Sequence, residues 1–234
     1  MRIAAVADIH GDENADAFFR DLHGLKDVDL FLLGGDVTER NDVDAFRRVA
    51  REVESQVDAP TYAVFGNNEY GPDHERYRAA TRIPFLDDDA VELDVGGRRL
   101  RLIGSTGCLD RPTWWQRTNL PGIWREYEER ARTLDGLLAA GSPSILLTHY
   151  PPTHVTMGAE KEEWRPELGS RKLEPMLLRH MPELVVHGHV HKGIPFAELR
   201  REQKSLEDFS LARTSIPVYN VAYPAAHRIT VVEI

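Results

Sequence analysis

The chain has 234 residues, of which 29% are charged and 41% hydrophobic, and its formal net charge is −9. That balance excludes fibrous and disordered classes, gives enough chain for one substantial core, and disfavours extended contact with nucleic-acid backbones. Cys108 is the single cysteine, which excludes an intramolecular disulfide.

The first apolar run, residues 3–7, reads as a buried strand and is too short for a signal peptide's apolar region. Phe18, Leu22 and Leu25 then share a helical face. Residues 30–33 predict a second strand. Val43, Phe46, Val49 or Ala50, Val53 and Val57 predict a second helix, and residues 61–65 a third strand. Residues 87–89 read as a solvated turn before a strand at 100–103. Trp124, Tyr127, Ala131, Leu134 and Leu138 repeat the helical pattern up to a stop at Gly141. Residues 145–147 and 184–186 are further strands, separated by a helix that Ser170 caps and that carries Leu173 and Leu177. Residues 197–213 read as a partly helical excursion, an arm, lid or oligomer contact, and open the option of a homo-oligomer. Residues 218–222 and 228–234 close the chain as strands. Strands alternating with helices predict an α/β layered fold in a single domain over 1–234. No run approaches the length of a membrane span, so the cytoplasm is the default location.

Polar residues stand at the carboxyl ends of five of these strands. Asp8 and His10 follow the first, Asp36 the second through Gly34-Gly35, and Asn67 the third through Gly66. His149 follows residues 145–147 through Thr148, and His189 and His191 follow 184–186 through His187-Gly188. In an open α/β sheet the carboxyl ends face one crevice, so these side chains converge there. Residues two apart in an extended segment project to one face, which pairs Asp8 with His10 and His189 with His191. The glycines permit sharp turns and close approach to an ion or phosphate. Carboxylate, amide and imidazole donors together suit manganese, iron or zinc better than calcium, magnesium or copper(I).

The segments Asp8-Ile9-His10-Gly11, Gly34-Gly35-Asp36, Gly66-Asn67-Asn68-Glu69, Thr148-His149 and Gly188-His189-Val190-His191 occur in this order over residues 8–191. In this they resemble the calcineurin-like metallophosphoesterase superfamily. The resemblance implies a four-layered α/β/β/α sandwich with mixed sheets and two divalent metal ions. On its pattern Asp8, His10 and His191 hold one metal, Asn67, His149 and His189 hold the other, and Asp36 bridges them. It also implies hydrolysis of a small phosphodiester or phosphomonoester by in-line attack of a metal-bridging hydroxide.

One position departs from that pattern: the histidine usual after the metal-binding asparagine is Asn68 here. An asparagine donates hydrogen bonds but is no general acid. Asn68 is therefore expected to position the phosphoryl group, leaving the proton to water, another residue or an acidic leaving group. The departure tilts the expectation towards diesters or activated esters. Two rival readings are a metal-dependent nuclease and a non-catalytic scaffold that reuses the fold. The acidic balance counts against the first, and the retention of all the ligand positions against the second.

Among the other histidines, His187 is expected to pack beside the ligands, and His154, in the loop after His149, is a candidate for substrate contact. His23, His74, His180 and His227 fall in no motif and default to the surface or to partial burial. Trp114 and Trp115, flanked by Arg111 and Arg117, suit stacking on a base beside a gripped phosphate, but core packing or a contact between copies is preferred. Asp12, Glu13 and Glu69 adjoin ligands and are expected to tune them.

Overall fold

The computed structural model describes residues 1–11, 14–141, 143–201 and 213–234. Three strand–helix steps come first: β1 (Arg2–Val6), α1 (Ala15–Gly24), β2 (Leu30–Leu33), α2 (Val43–Gln56), β3 (Thr61–Ala63) and α3 (His74–Ala80). Next come β4 (Asp89–Val95), β5 (Arg98–Ser105), α4 (Trp114–Asn119), α5 (Ile123–Ala139) and β6 (Ser144–Thr148). The chain continues through α6 (Glu174–His180), β7 (Leu184–His187), β8 (Phe196–Arg200), β9 (Ser215–Asn220), α7 (Tyr223–Ala226) and β10 (Thr230–Glu233).

Two sheets form. One has the order β10-β1-β2-β3, with β1 to β3 parallel and β10 antiparallel. The other has the order β4-β5-β6-β7-β9-β8, parallel in its centre and antiparallel at both edges. Helices flank both, which is the expected sandwich.

Side-chain alternation along β1 separates two cores. Ala4 and Val6 join the cluster under α1, α2 and α3, while Ile3 and Ala5 face the second sheet. In the second sheet Leu102, Leu147 and Val186 meet the first sheet, and Ile103, Leu146 and Val185 lie with residues of α5 and α6. The central strands are thus buried on both faces, which is why their sequences are continuous apolar runs. Burying one Leu or Phe fully contributes about 1.5–3 kcal/mol. A Leu146→Asp change would set an unpaired charge between β6 and the helical layer and break it.

Two strands are absent from the sequence reading. β4 pairs with β5 across the two-residue turn Gly96-Gly97, whose φ values of 55° and 71° suit a primed hairpin turn. β8 replaces the start of the expected helical excursion: Phe196–Arg200 pairs antiparallel with β9, and Leu199 is buried behind the sheet. The rest of that excursion, residues 202–212, lies outside the described residues. Ser170 does not cap a helix. Its hydroxyl donates to Asp110 Oδ1 at 2.7 Å, and a 3₁₀ turn, Arg171–Leu173, leads into α6.

Candidate metal centre

The ends of β1, β2, β3, β6 and β7 come together as expected, but through turns rather than extended backbone. Asp8, His10, Asp36 and His189 have φ of 56°, 54°, 49° and 71°. Such left-handed conformations cost roughly 1–2 kcal/mol each in an L residue, so the pairing of Asp8 with His10 does not arise from strand alternation. Neighbouring chain holds them in place: Asp8 N–H donates to Gly35 O at 2.9 Å, His10 N–H to Asp36 O at 3.2 Å, and His189 N–H to Asp8 Oδ2 at 2.7 Å. The approach is closest at Gly66, where any Cβ would overlap the Asp36 carboxylate.

Among the described residues two groups of candidate donors result. Asp8, His10 and His191 offer atoms within 4.8 Å of one another, and so do Asp8, Asp36 and His149. Asp8 is common to both, whereas the resemblance gives the bridging place to Asp36. In the first group His191 Nε2 lies 3.1 Å from Asp8 Oδ1 and 3.2 Å from His10 Nε2. In the second, His149 Nε2 lies 3.7 Å from Asp36 Oδ1 and 3.1 Å from Asn67 Oδ1. His189 belongs to neither group and stands beside the second, its ring centroid 5.0 Å from that of His149.

The donor set fits a cation. His149 Nδ1–H donates to the Gly34 carbonyl at 3.0 Å, which fixes the tautomer and turns the Nε2 lone pair towards two oxygen acceptors. His10 and His191 likewise oppose ring nitrogens beside Asp8. Lone pairs so directed repel unless a proton or metal ion lies among them.

Electrostatics point the same way. Burial works to raise the Asp8 pKa, but the His191 hydrogen bond and the neighbouring histidines outweigh it and hold the carboxyl below its ordinary value. Burial, reinforced by Asp8, pushes Asp36 up. Burial depresses His149, yet Asp36 and Asp8 outweigh that effect and raise it. Burial, then the nearby His149, pushes His189 down to about 3, leaving the neutral imidazole that binds metals. Glu69 is pushed up to about 7 by burial and then by Asp36, although it accepts N–H groups from Gly66 at 2.8 Å, Asp36 at 2.9 Å and Thr38 at 3.2 Å.

Asn68 turns towards Asp36, donating from its backbone N–H to Oδ1 and from its amide to Oδ2, each at 2.7 Å. His187 packs as expected, with Nε2 2.8 Å from Thr156 Oγ1, and burial pushes it down to about 4. His154 Nε2 faces Asp110 Oδ2 at 3.5 Å. Asp12 and Glu13 lie outside the described residues.

His74 is partly buried, within expectation: its ring stacks on Phe65 at 3.5 Å and its Nε2–H donates to Glu69 O at 3.1 Å, so it braces the run that carries Asn67. Tyr150 has no place in the sequence reading, yet its buried ring stands edge-on to His189 at 4.7 Å. Neither residue lies in a motif or an apolar period that marks it. Trp114 and Trp115 do not pack in the core, because Gln116 takes the buried position of α4. Arg111 and Arg117 are paired with Glu167 at 2.9 and 3.4 Å. The acids at 87–88 are partnered rather than solvated: Asp87 with Arg78 and Asp88 with Arg130. A cleft of about 470 Å³ beside Arg98, Glu183 and Ser215 sits at the other ends of β5, β7 and β9, and its Arg98 is paired with Glu183.

An α/β sandwich with two carboxylate–histidine groups at its strand ends defines a class, the metal-dependent hydrolases of the phosphoesterase type. The profile of the calcineurin-like phosphoesterases matches residues 1–193, and the chain belongs to that family. No curated protein sequence matches the chain. Among solved structures it is similar to the phosphopantetheinyl hydrolase of Mycobacterium tuberculosis, at 15% identity and TM-score 0.66 over 95% of this chain and 89% of that one. TT1561 of Thermus thermophilus is similar at 17% identity and TM-score 0.57, covering 99% of this chain and 98% of that one. A purple acid phosphatase from yellow lupin seeds gives 13% identity and TM-score 0.60 over all of this chain and 46% of that one. At these identities the shared feature is the fold. No described helix is long and apolar enough to cross a membrane.

Proposed function

We propose that the protein hydrolyses a small phosphodiester or phosphomonoester with the help of two divalent metal ions, manganese, iron or zinc. The observation that carries this reading is the pair of donor groups that share Asp8. Asp8, His10 and His191 would hold one ion and Asn67, His149 and His189 the other, with Asp36 shared. Ions held there would act as Lewis acids towards a phosphoryl oxygen and lower the pKa of the attacking water.

The chain's own groups aim that arrangement. Asn67 Nδ2, Asn68 N and Asn68 Nδ2 orient the Asp36 carboxylate, and the Gly34 carbonyl orients His149. The Asn68 amide can also hold a phosphoryl oxygen but has no proton to transfer at neutral pH. That favours activated esters, monoester or diester, whose leaving group departs as a stable anion. A cytoplasmic location and a small substrate rather than nucleic acid belong to the same reading, supported by the buried free Cys108 and the net charge of −9.

The test is a matrix of manganese, iron and zinc against chromogenic mono- and diesters, cyclic nucleotides and short oligonucleotides, run on stripped and reloaded protein. Turnover that requires metal and disappears in Asp36→Asn is the expected result. Stoichiometric metal binding without turnover of any ester would remove the catalytic part of the reading.

A further inference from the structure

Tryptophan is on average well buried, yet all four in this chain face water: Trp114 is 69% exposed, Trp115 55%, Trp164 54% and Trp124 49%. Three lie on α4 and the first turn of α5, in the connection that leaves β5. The fourth lies in the connection that leaves β6, the one that begins with His149. The two connections are tied together. Arg111 donates to Glu167 Oε1 and to Glu163 O, each at 2.9 Å, and Arg117 reaches the same Glu167 oxygen at 3.4 Å.

This rim is joined to the candidate metal centre. A capping box between Thr113 and Gln116 fixes the start of α4. Gln116 Nε2 then donates to the Tyr150 hydroxyl at 3.1 Å, and the Tyr150 ring meets His189 edge-on at 4.7 Å and 88°. Trp115 is therefore the chain neighbour of a residue only two side chains from a candidate ligand.

The charges of the rim are already engaged. Arg111 and Arg117 serve Glu167, and Lys161 sits over the Trp164 ring at 4.9 Å. What the rim offers a ligand is flat indole surface, suited to a flat partner rather than a further phosphate. An anionic membrane is a poor occupant for a chain of net charge −9. Exposed apolar surface can mark a recognition site, and this rim stands on tied connections at the same strand ends as the donors that would take the phosphoryl group. We infer that it is a subsite for the base of a nucleoside phosphoester, stacked on Trp114, Trp115 or Trp164 while the phosphate lies at the metal centre. The inference rests on the phosphoester reading of that centre.

Adenosine 5′-monophosphate and ribose 5-phosphate share sugar and phosphate and differ in the base. On manganese-loaded protein, calorimetry is expected to give the adenosine compound an affinity about tenfold higher, the scale of one base–aromatic stack. It should also quench tryptophan emission, since every indole lies on this rim or beside it. In the double variant Trp114→Ala, Trp115→Ala with Trp164→Ala added, the affinity ratio is expected to fall to about one. Equal affinities in the wild type, or a ratio unchanged by the three substitutions, overturns the subsite alone, provided inorganic phosphate binds. Absence of phosphate binding by the metal-loaded protein overturns the reading of the centre and the subsite with it. A wild-type dimer that the same substitutions convert to monomer, read by sedimentation velocity, assigns the rings to a second copy and also overturns the inference.

Discussion

Glu69 Oε2 accepts the backbone N–H of Asp36 at 2.9 Å, so the acid that closes the Gly66-Asn67-Asn68-Glu69 run holds the chain bearing a central carboxylate. The same side chain serves Gly66 and Thr38. A buried donor left without an acceptor costs about 1–3 kcal/mol. Glu69→Ala strands three such donors and is expected to lower the unfolding free energy by roughly 3 kcal/mol or more, with weaker metal binding. Denaturant unfolding and a metal titration measure the two effects.

The same carboxyl predicts a pH dependence. Burial and then Asp36 raise Glu69 from 4.5 to about 7 in the folded chain. An acid whose folded pKa is raised keeps its proton more firmly when folded. Its stabilising contribution is therefore full below 4.5 and lost as pH rises through about 7. In metal-free protein the stability difference between wild type and Glu69→Gln is expected to shift against wild type across this window. A difference that stays flat from acid to neutral pH would contradict it.

Metal stoichiometry separates the two donor groups. Asp36 is the carboxylate proposed to be shared, and His10 belongs to one donor group. Elemental analysis of dialysed protein is expected to show His10→Ala retaining about half the wild-type metal and Asp36→Asn retaining less than that. Equal loss in the two variants would mean that the groups fill as one unit.

Asn68 is tested by leaving-group chemistry. Across aryl esters of rising leaving-group pKa, wild-type rates should fall steeply, because no side-chain acid assists departure. Asn68→His is expected to flatten the slope, and Asn68→Ala to lower rates across the whole series. Wild-type behaviour in Asn68→Ala would rule out a positioning role.

Two glycines make a paired stability test. Gly136 lies within α5, and a methyl added there would meet no atom within 4 Å, so Gly136→Ala is expected to stabilise by about 0.5–1 kcal/mol. Gly66→Ala would drive a methyl into Asp36 and should cost both folding stability and metal binding. Thermal unfolding with and without added metal distinguishes them.

Much of the fold is legible in the chain because the central strands are buried on both faces. Leu30–Leu33 forms a strand over the same residues as its apolar run, and the polar positions following β1, β2, β3, β6 and β7 do converge. The edge strands are harder. β4 alternates exposed and buried side chains and so presents no apolar run, although Gly96-Gly97 is a usable hairpin signal. β8 sits among charged residues, with Leu199 as its buried anchor. The left-handed turns at Asp8, His10, Asp36 and His189 carry no sequence mark beyond neighbouring glycines. Braces such as His74 and Tyr150 act through stacking on residues distant or irregularly spaced in sequence, which no periodicity reveals.

The candidate ligands come from both halves of the sandwich: Asp8, His10, Asp36 and Asn67 follow strands of one sheet, and His149, His189 and His191 follow strands of the other. Between the sheets lies a mainly apolar, close-packed seam. Ions seated at its end would act as a clasp. Folding would then be linked to free metal by mass action, with stability rising logarithmically as metal exceeds its dissociation constant. Metal supply would thus govern how long the molecule endures, quite apart from how fast it turns over.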